Sequence, residues 1–235
     1  LPIHAAQTNN SQAGTDVMKN PAKKFLTPQE YEQVDAAVRA AEKRTSGEIV
    51  CMIQGASYHY PMAHVIGAAA LALPIALILT PLVGAWLWLG TQNMWIFISI
   101  LATAFAIGYG VVKNTPGLKR LFISAHEIAE EVEEAAVTNF FRRGLYRTRE
   151  NTGILLFISV FERKVWVLAD RGINAKMEPG WWDALVAQIT NGIRTGQGAA
   201  AICQAVDTMG RMLEEHFPVR ADDTDELDNV IVADT

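Results

Sequence analysis

Met62–Val112 reads MAHVIGAAALALPIALILTPLVGAWLWLGTQNMWIFISILATAFAIGYGVV, and no Asp, Glu, Lys or Arg occurs between Glu48 and Lys113. The second half, Met94–Val112, is long enough at about 1.5 Å per residue to cross a hydrocarbon core of about 30 Å. The first half, Met62–Leu89, is longer than required and carries Pro74 and Pro81. Its expected membrane core is Gly67–Leu87, kinked at the prolines, with the excess taken up by tilt. Gly90-Thr91-Gln92-Asn93 forms the turn between them. Trp86, Trp88 and Trp95 flank that turn, where indole rings favour the headgroup layer. Both segments are apolar on every face, and a soluble fold would have to cover them on all sides with the little chain that remains. The sequence therefore predicts a transmembrane helical hairpin over residues 62–112.

Lys19, Lys23, Lys24, Arg39, Lys43 and Arg44 precede the hairpin, and Lys113, Lys119 and Arg120 follow it. The connecting turn is uncharged. Positive-inside reasoning places both flanks in the cytoplasm. No carboxylate, Lys or Arg lies within the spans, so an anchor is expected rather than an ion pathway. The lipid bilayer is the first expected partner. The net charge of −5, with both signs interspersed, gives no basic footprint for a phosphate backbone, so nucleic acid is not an expected partner. Cys51 and Cys203 lie far apart without metal-ligand spacing and are expected as reduced thiols.

The flanking sequence reads as one α/β domain. Thr27-Pro28-Gln29-Glu30 is a capping box with Pro at the first helical position, and Tyr31, Val34, Val38 and Ala41 follow at helical spacing. Glu48–Gln54 (EIVCMIQ) reads as a strand. Leu121, Ala125, Ile128, Val132, Ala136 and Phe140 mark one face of a long helix that stops at Gly144. Gly153–Phe161 (GILLFISVF) is apolar at nearly every position, which predicts a strand covered on both faces. Glu162-Arg163 turns it back into Lys164–Ala169. Two amphipathic helices, Glu178–Arg194 and Gly198–Phe217, complete the pattern.

The expected architecture is a three-layer α/β/α sandwich with a mixed sheet, interrupted by the two-helix transmembrane hairpin. Residues 1–24 form an expected disordered segment. Residues 25–57 and 118–217 are the two parts of the domain, 62–112 the hairpin, and 218–235 an acidic, mobile tail.

These stretches carry a family resemblance: Phe25-Leu26-Thr27 leading into a helix, Thr45-Ser46-Gly47-Glu48-Ile49-Val50, Asn151-Thr152-Gly153-Ile154-Leu155-Leu156, Glu162-Arg163-Lys164-Val165, and the ending His216-Phe217-Pro218 with Asp222-Asp223 and Glu226-Leu227. In this order they resemble the TPM domain, and in particular its membrane-bound bacterial branch, in which a transmembrane hairpin splits the domain. The resemblance covers roughly Phe25 to the C-terminus. It implies an α/β/α fold with a mixed sheet. The hairpin and its basic flanks make the expected location the inner (cytoplasmic) membrane, multi-pass, with the soluble domain on the cytoplasmic side. Other branches of the family include a protein of photosystem repair, for which acid phosphatase activity and divalent-metal binding have been proposed. The expected function here is a non-catalytic, membrane-anchored module that binds or helps assemble another membrane protein or complex. The alternative is a membrane-tethered acid phosphatase using calcium or magnesium.

A phosphatase would need carboxylates for a metal and a cation for phosphate. The candidates at strand ends are Glu48, Glu150, Asp170 and Arg171, with Glu150 and Asp170 assigned to the metal and Arg171 to phosphate. Glu150 stands where many relatives have Asp, and Asp170-Arg171-Gly172 replaces a neutral turn. The family's acidic residue before the first helix is missing from Asn20-Pro21-Ala22-Lys23-Lys24. No cofactor is expected on the binding-module reading. Trp181 and Trp182 are its candidate partner-binding residues, with one ring entering the core and the other exposed for contact; the alternative is that both rings serve the core.

Overall fold

A computed structural model describes residues 21–90, 93–148, 151–219 and 229–233. The chain divides into two compact units: Leu1–Tyr58 with Glu130–Thr235, and His59–Ala129.

In the first unit, α1 (Pro28–Glu42) starts at the expected capping box: Thr27 Oγ1 accepts from the Glu30 amide, and the Thr27 amide donates to Glu30 Oε2 at 2.8 Å. It leads into β1 (Glu48–Gln54). Further along come α5 (Ala125–Arg142), whose first residues still belong to the second unit, and then β2 (Gly153–Ser159), β3 (Lys164–Ala169), α6 (Arg171–Asn174), α7 (Trp181–Arg194), α8 (Gly198–His216) and β4 (Val230–Ala233). The sheet order is β3-β2-β1-β4, with β1 parallel to both β2 and β4 and β3 antiparallel to β2.

The two inner strands are buried at every position, as their unbroken apolar sequences require. One face packs Ile49, Cys51, Ile154 and Leu156 against α1, α7 and α8; the other packs Val50, Met52, Leu155 and Phe157 against Val132, Ala136 and Phe140 of α5. This is the expected α/β/α sandwich with a mixed sheet.

Two expected boundaries shift. Residues 220–228 and 234–235 lie outside the described residues, but Val230–Ala233 is no mobile tail. It forms β4, because β1 otherwise has an unpaired edge and this short apolar run fills it. The Cys51 amide donates to Asn229 O at 2.8 Å, Tyr31 Oη donates to Val230 O at 2.9 Å, and Asn229 Nδ2 donates to Glu42 Oε2 at 2.8 Å. At the other end, the expected disordered segment reaches too far. Residues 1–20 lie outside the described residues, whereas Ala22 is buried in the core and its carbonyl accepts from the Phe25 amide.

The second unit contains α2 (Pro61–Trp86), α3 (Met94–Asn114) and the short α4 (Pro116–Arg120). Asn93 caps α3, its Oδ1 accepting from the Trp95 and Ile96 amides. α2 and α3 are long and apolar enough to cross a membrane. The face that α2 buries is made of small residues: Gly67, Ala68, Ala72, Ala76, Thr80 and Gly84. Opposite them, Gly108 lets the backbones approach closely, since a Cβ there would stand 3.4 Å from Ala68 Cα. The large side chains face outward: Leu77 is 66% exposed, Trp86 79% and Trp88 95%.

Candidate functional site

Of the residues singled out for chemistry, Glu48, Asp170 and Arg171 lie at the edge of the sheet where β1 and β2 begin and β3 ends. Thr45 Oγ1 donates to Phe217 O at 2.6 Å and accepts from the Gly47 amide at 3.1 Å. The Ser46 amide donates to the same Phe217 carbonyl. Thr152 Oγ1 donates to Ser46 O at 3.2 Å, and the Glu48 amide donates to Thr152 O. Gly153 is required by packing: a Cβ there would stand 2.5 Å from Leu145 O, which no side-chain movement can relieve. The Thr45–Glu48 and Asn151–Gly153 motifs are thus joints that tie the end of α8 and the turn before β2 to the first strand.

Glu48 and Asp170 lie on either side of Gly153. Glu48 is its register partner, and the Asp170 amide donates to Gly153 O at 2.9 Å. With strands spaced about 4.8 Å apart, the two acidic residues stand two strands apart, near 10 Å between Cα atoms. The Leu145 carbonyl closes over the glycine between them.

Asp170 and Arg171 do meet at one place. They line an open pocket of about 540 Å³ together with Asn151, Gly172 and Ala175. Asp170 Oδ1 accepts from the Arg171 amide at 2.6 Å and so starts α6, while Oδ2 is buried without a hydrogen-bond partner. Glu150 lies outside the described residues. A single orphaned carboxylate oxygen is not a ligand set for calcium, which takes six to eight oxygens, or for magnesium. Among the described residues no group of three or more His, Cys, Asp or Glu is placed to hold a metal ion.

Trp181 and Trp182 open α7 with their rings 4.7 Å apart, edge to face. Both are half-buried and pack against the core. Trp182 Nε1 donates to Asn174 Oδ1 at 3.0 Å, and Asn174 Nδ2 donates to Ala169 O at 2.7 Å. That chain braces the short helix carrying Arg171.

At the opposite end of β1 and β2 sits a polar group that sequence reading passed over. Glu162, read as a turn residue, is fully buried. One of its oxygens accepts from Ser159 Oγ and the other from the Ser57 amide at 2.9 Å; Ser57 Oγ and Ser159 Oγ are hydrogen-bonded to each other. The available signal was Ser159, the one polar residue late in an apolar strand, followed three residues on by an acid. These hydrogen bonds anchor the exit of β1 to the turn after β2. The thiols are equally quiet: both are free, and burial pushes that of Cys51 upward, away from the reactive thiolate.

Residues 120–212 match the family model of the TPM domain. The TPM match takes in β2, β3, the Asp170–Arg171 pocket and the tryptophan pair. The structure is also similar to the NMR structure of the BA42 protein from the psychrophilic bacterium Bizionia argentinensis. The TM-score is 0.54 at 19% identity, over 89% of this chain and 96% of that one, a likeness of fold alone. No curated protein matches the chain.

Proposed function

We propose that this chain is a membrane-anchored, TPM-like module, non-catalytic, that binds or helps assemble another membrane protein or complex. Its hairpin crosses the bilayer twice, and its sheet unit lies on the cytoplasmic side. The observation that carries the anchor is the packing of α2 on α3. Small residues line the seam and large apolar ones cover the outside, which is the order that lipid favours and water penalises. The binding role is favoured because the residues carrying the TPM resemblance act as joints of the fold, while Glu48 and Asp170 are held apart by Gly153.

The test is to purify the intact protein in mild detergent and identify what accompanies it. A stable membrane-protein partner, lost on replacing Trp181 with Ala while the fold persists, supports the reading. Isolation of the chain alone under all mild conditions counts against it.

One observation favours a second reading, a metal-dependent phosphatase: the pocket that joins the orphaned Asp170 oxygen to Arg171. A phosphate-ester assay of the full chain with and without calcium or magnesium separates the two. The module reading expects no turnover above an Asp170→Asn control. Metal-stimulated turnover abolished by that substitution would favour the enzyme.

A further inference from the structure

The two ends of the hairpin unit differ in chemistry. The turn end presents Trp86, Trp88 and Trp95, all largely exposed, and carries no charge. The other end holds every cation of His59–Ala129, namely Lys113, Lys119 and Arg120, and the acidic run Glu127–Glu134 of α5 begins seven residues after Arg120.

These cations are held in place. α4 packs against the ends of both α2 and α3. Lys119 Nζ donates to His59 O at 2.6 Å and stands 5.7 Å from the centroid of the Tyr60 ring, so α4 is fastened across the foot of α2. Lys113 lies in the last turn of α3 and is exposed. Exposed apolar side chains sit at the same end: Leu121, 77% exposed, follows Arg120 directly, and Met62 and Ile66 lie in the first turns of α2. Cations adjoining outward apolar groups at the end of a span match the boundary where acyl chains give way to phosphates.

We infer that this foot of the hairpin, built from the end of α3 and from α4, binds the headgroups of anionic phospholipids. The inference rests on the reading of the hairpin as a membrane anchor and names the lipid class that the anchor selects. Lys113 and Arg120 supply the electrostatic attraction, Lys119 fixes α4 in the headgroup layer, and Leu121 enters the acyl region beside it. Each cation near an anionic surface shifts partition by about fivefold.

The full chain is reconstituted into vesicles of phosphatidylcholine alone and of phosphatidylcholine with phosphatidylglycerol in equal parts. Insertion is read by resistance to alkaline extraction. The lipid kept by the protein after gentle detergent extraction of the mixed vesicles is then quantified. Wild-type protein is expected to insert into both and to retain phosphatidylglycerol several-fold over its bulk share. Lys113→Gln with Arg120→Gln should insert and lose that preference. Lys113→Arg with Arg120→Lys should keep it, which separates charge from disturbed folding. Insertion into both vesicles without any preference overturns the inference and leaves the anchor standing. A preference that survives the double Gln variant overturns it as well, by placing the site elsewhere. Failure to insert into either vesicle removes the anchor reading and this inference with it.

Discussion

In the sheet unit the large side chains are inside: Ile49, Met52, Leu155, Phe157 and Ile158 are almost wholly buried between helices. In the hairpin the inside is Ala68, Ala72, Ala76 and Gly84, while Leu77, Ile78, Leu82 and Trp86 face out. The same residue types take opposite places, as they would if the two regions answer to different solvents, the proposed anchor to lipid and the sheet unit to water. Water drives bulk apolar groups inward at about 25 cal/mol per Å². A bilayer offers no such drive, and helices associate there through close backbone approach between small residues. The contrast supports the proposed anchor without reference to length or hydropathy.

The largest effect that would break this comparison is a charge placed inside the sheet unit. Leu155→Asp buries an unpaired carboxylate in β2 and should cost several kcal/mol, comparable with the 5–15 kcal/mol that stabilises a domain. Limited proteolysis is expected to degrade that unit. The same replacement at Leu77 should leave the sheet unit protease-resistant and instead weaken membrane retention, at a cost of about 3 kcal/mol near mid-membrane. Equal damage to the sheet unit from both would erase the distinction.

A smaller effect sharpens the hairpin side. Ala76→Leu overfills the seam between α2 and α3 and should destabilise the pair by about 1–3 kcal/mol. Leu77→Ala, one residue on but outward, should change it by less than about 0.5 kcal/mol. Protease sensitivity of the hairpin in micelles reads both. A soluble core would reverse the ranking.

The smallest effect lies on the water-exposed surface of α8. Asp207 accepts from Arg211 at 2.5 Å and Arg44 at 3.0 Å, and these bonds hold its carboxyl below the ordinary 3.8. Because the folded value is depressed, the contribution is present above the unfolded value and is lost as pH falls through the folded one. Asp207→Asn should cost no more than about 1 kcal/mol at neutral pH, since both partners are solvated. The difference from wild type should vanish in strong acid when melting is followed against pH.

Most of the fold was legible because its signals are local. The capping box at Thr27, the apolar runs Glu48–Gln54 and Gly153–Ser159, and the stop at Gly144, where φ is +79°, each declare themselves within a few residues. β4 was not legible. Its apolar run, Val230–Ala233, follows an acidic stretch, and only its pairing with β1, far away in sequence, makes it a strand. Glu162 escaped for the same reason: beside Arg163 it looks like a solvated turn, and its serine partners come from two different strand ends. At the candidate site, the neighbours Asp170 and Arg171 were identified and do share a pocket. The separation of Glu48 from Asp170 by Gly153 depends on sheet order, which no local pattern specifies.

The anchor and its orientation are tested most directly by single cysteines at Trp88 and Val219 in a chain whose Cys51 and Cys203 have been replaced by Ala. Intact cells are treated with a membrane-impermeant thiol reagent, before and after permeabilisation. The expected result is labelling of Trp88→Cys in intact cells and of Val219→Cys only after permeabilisation. Labelling of Val219→Cys without Trp88→Cys would reverse the orientation, and identical behaviour of the two positions would contradict a hairpin that crosses the bilayer.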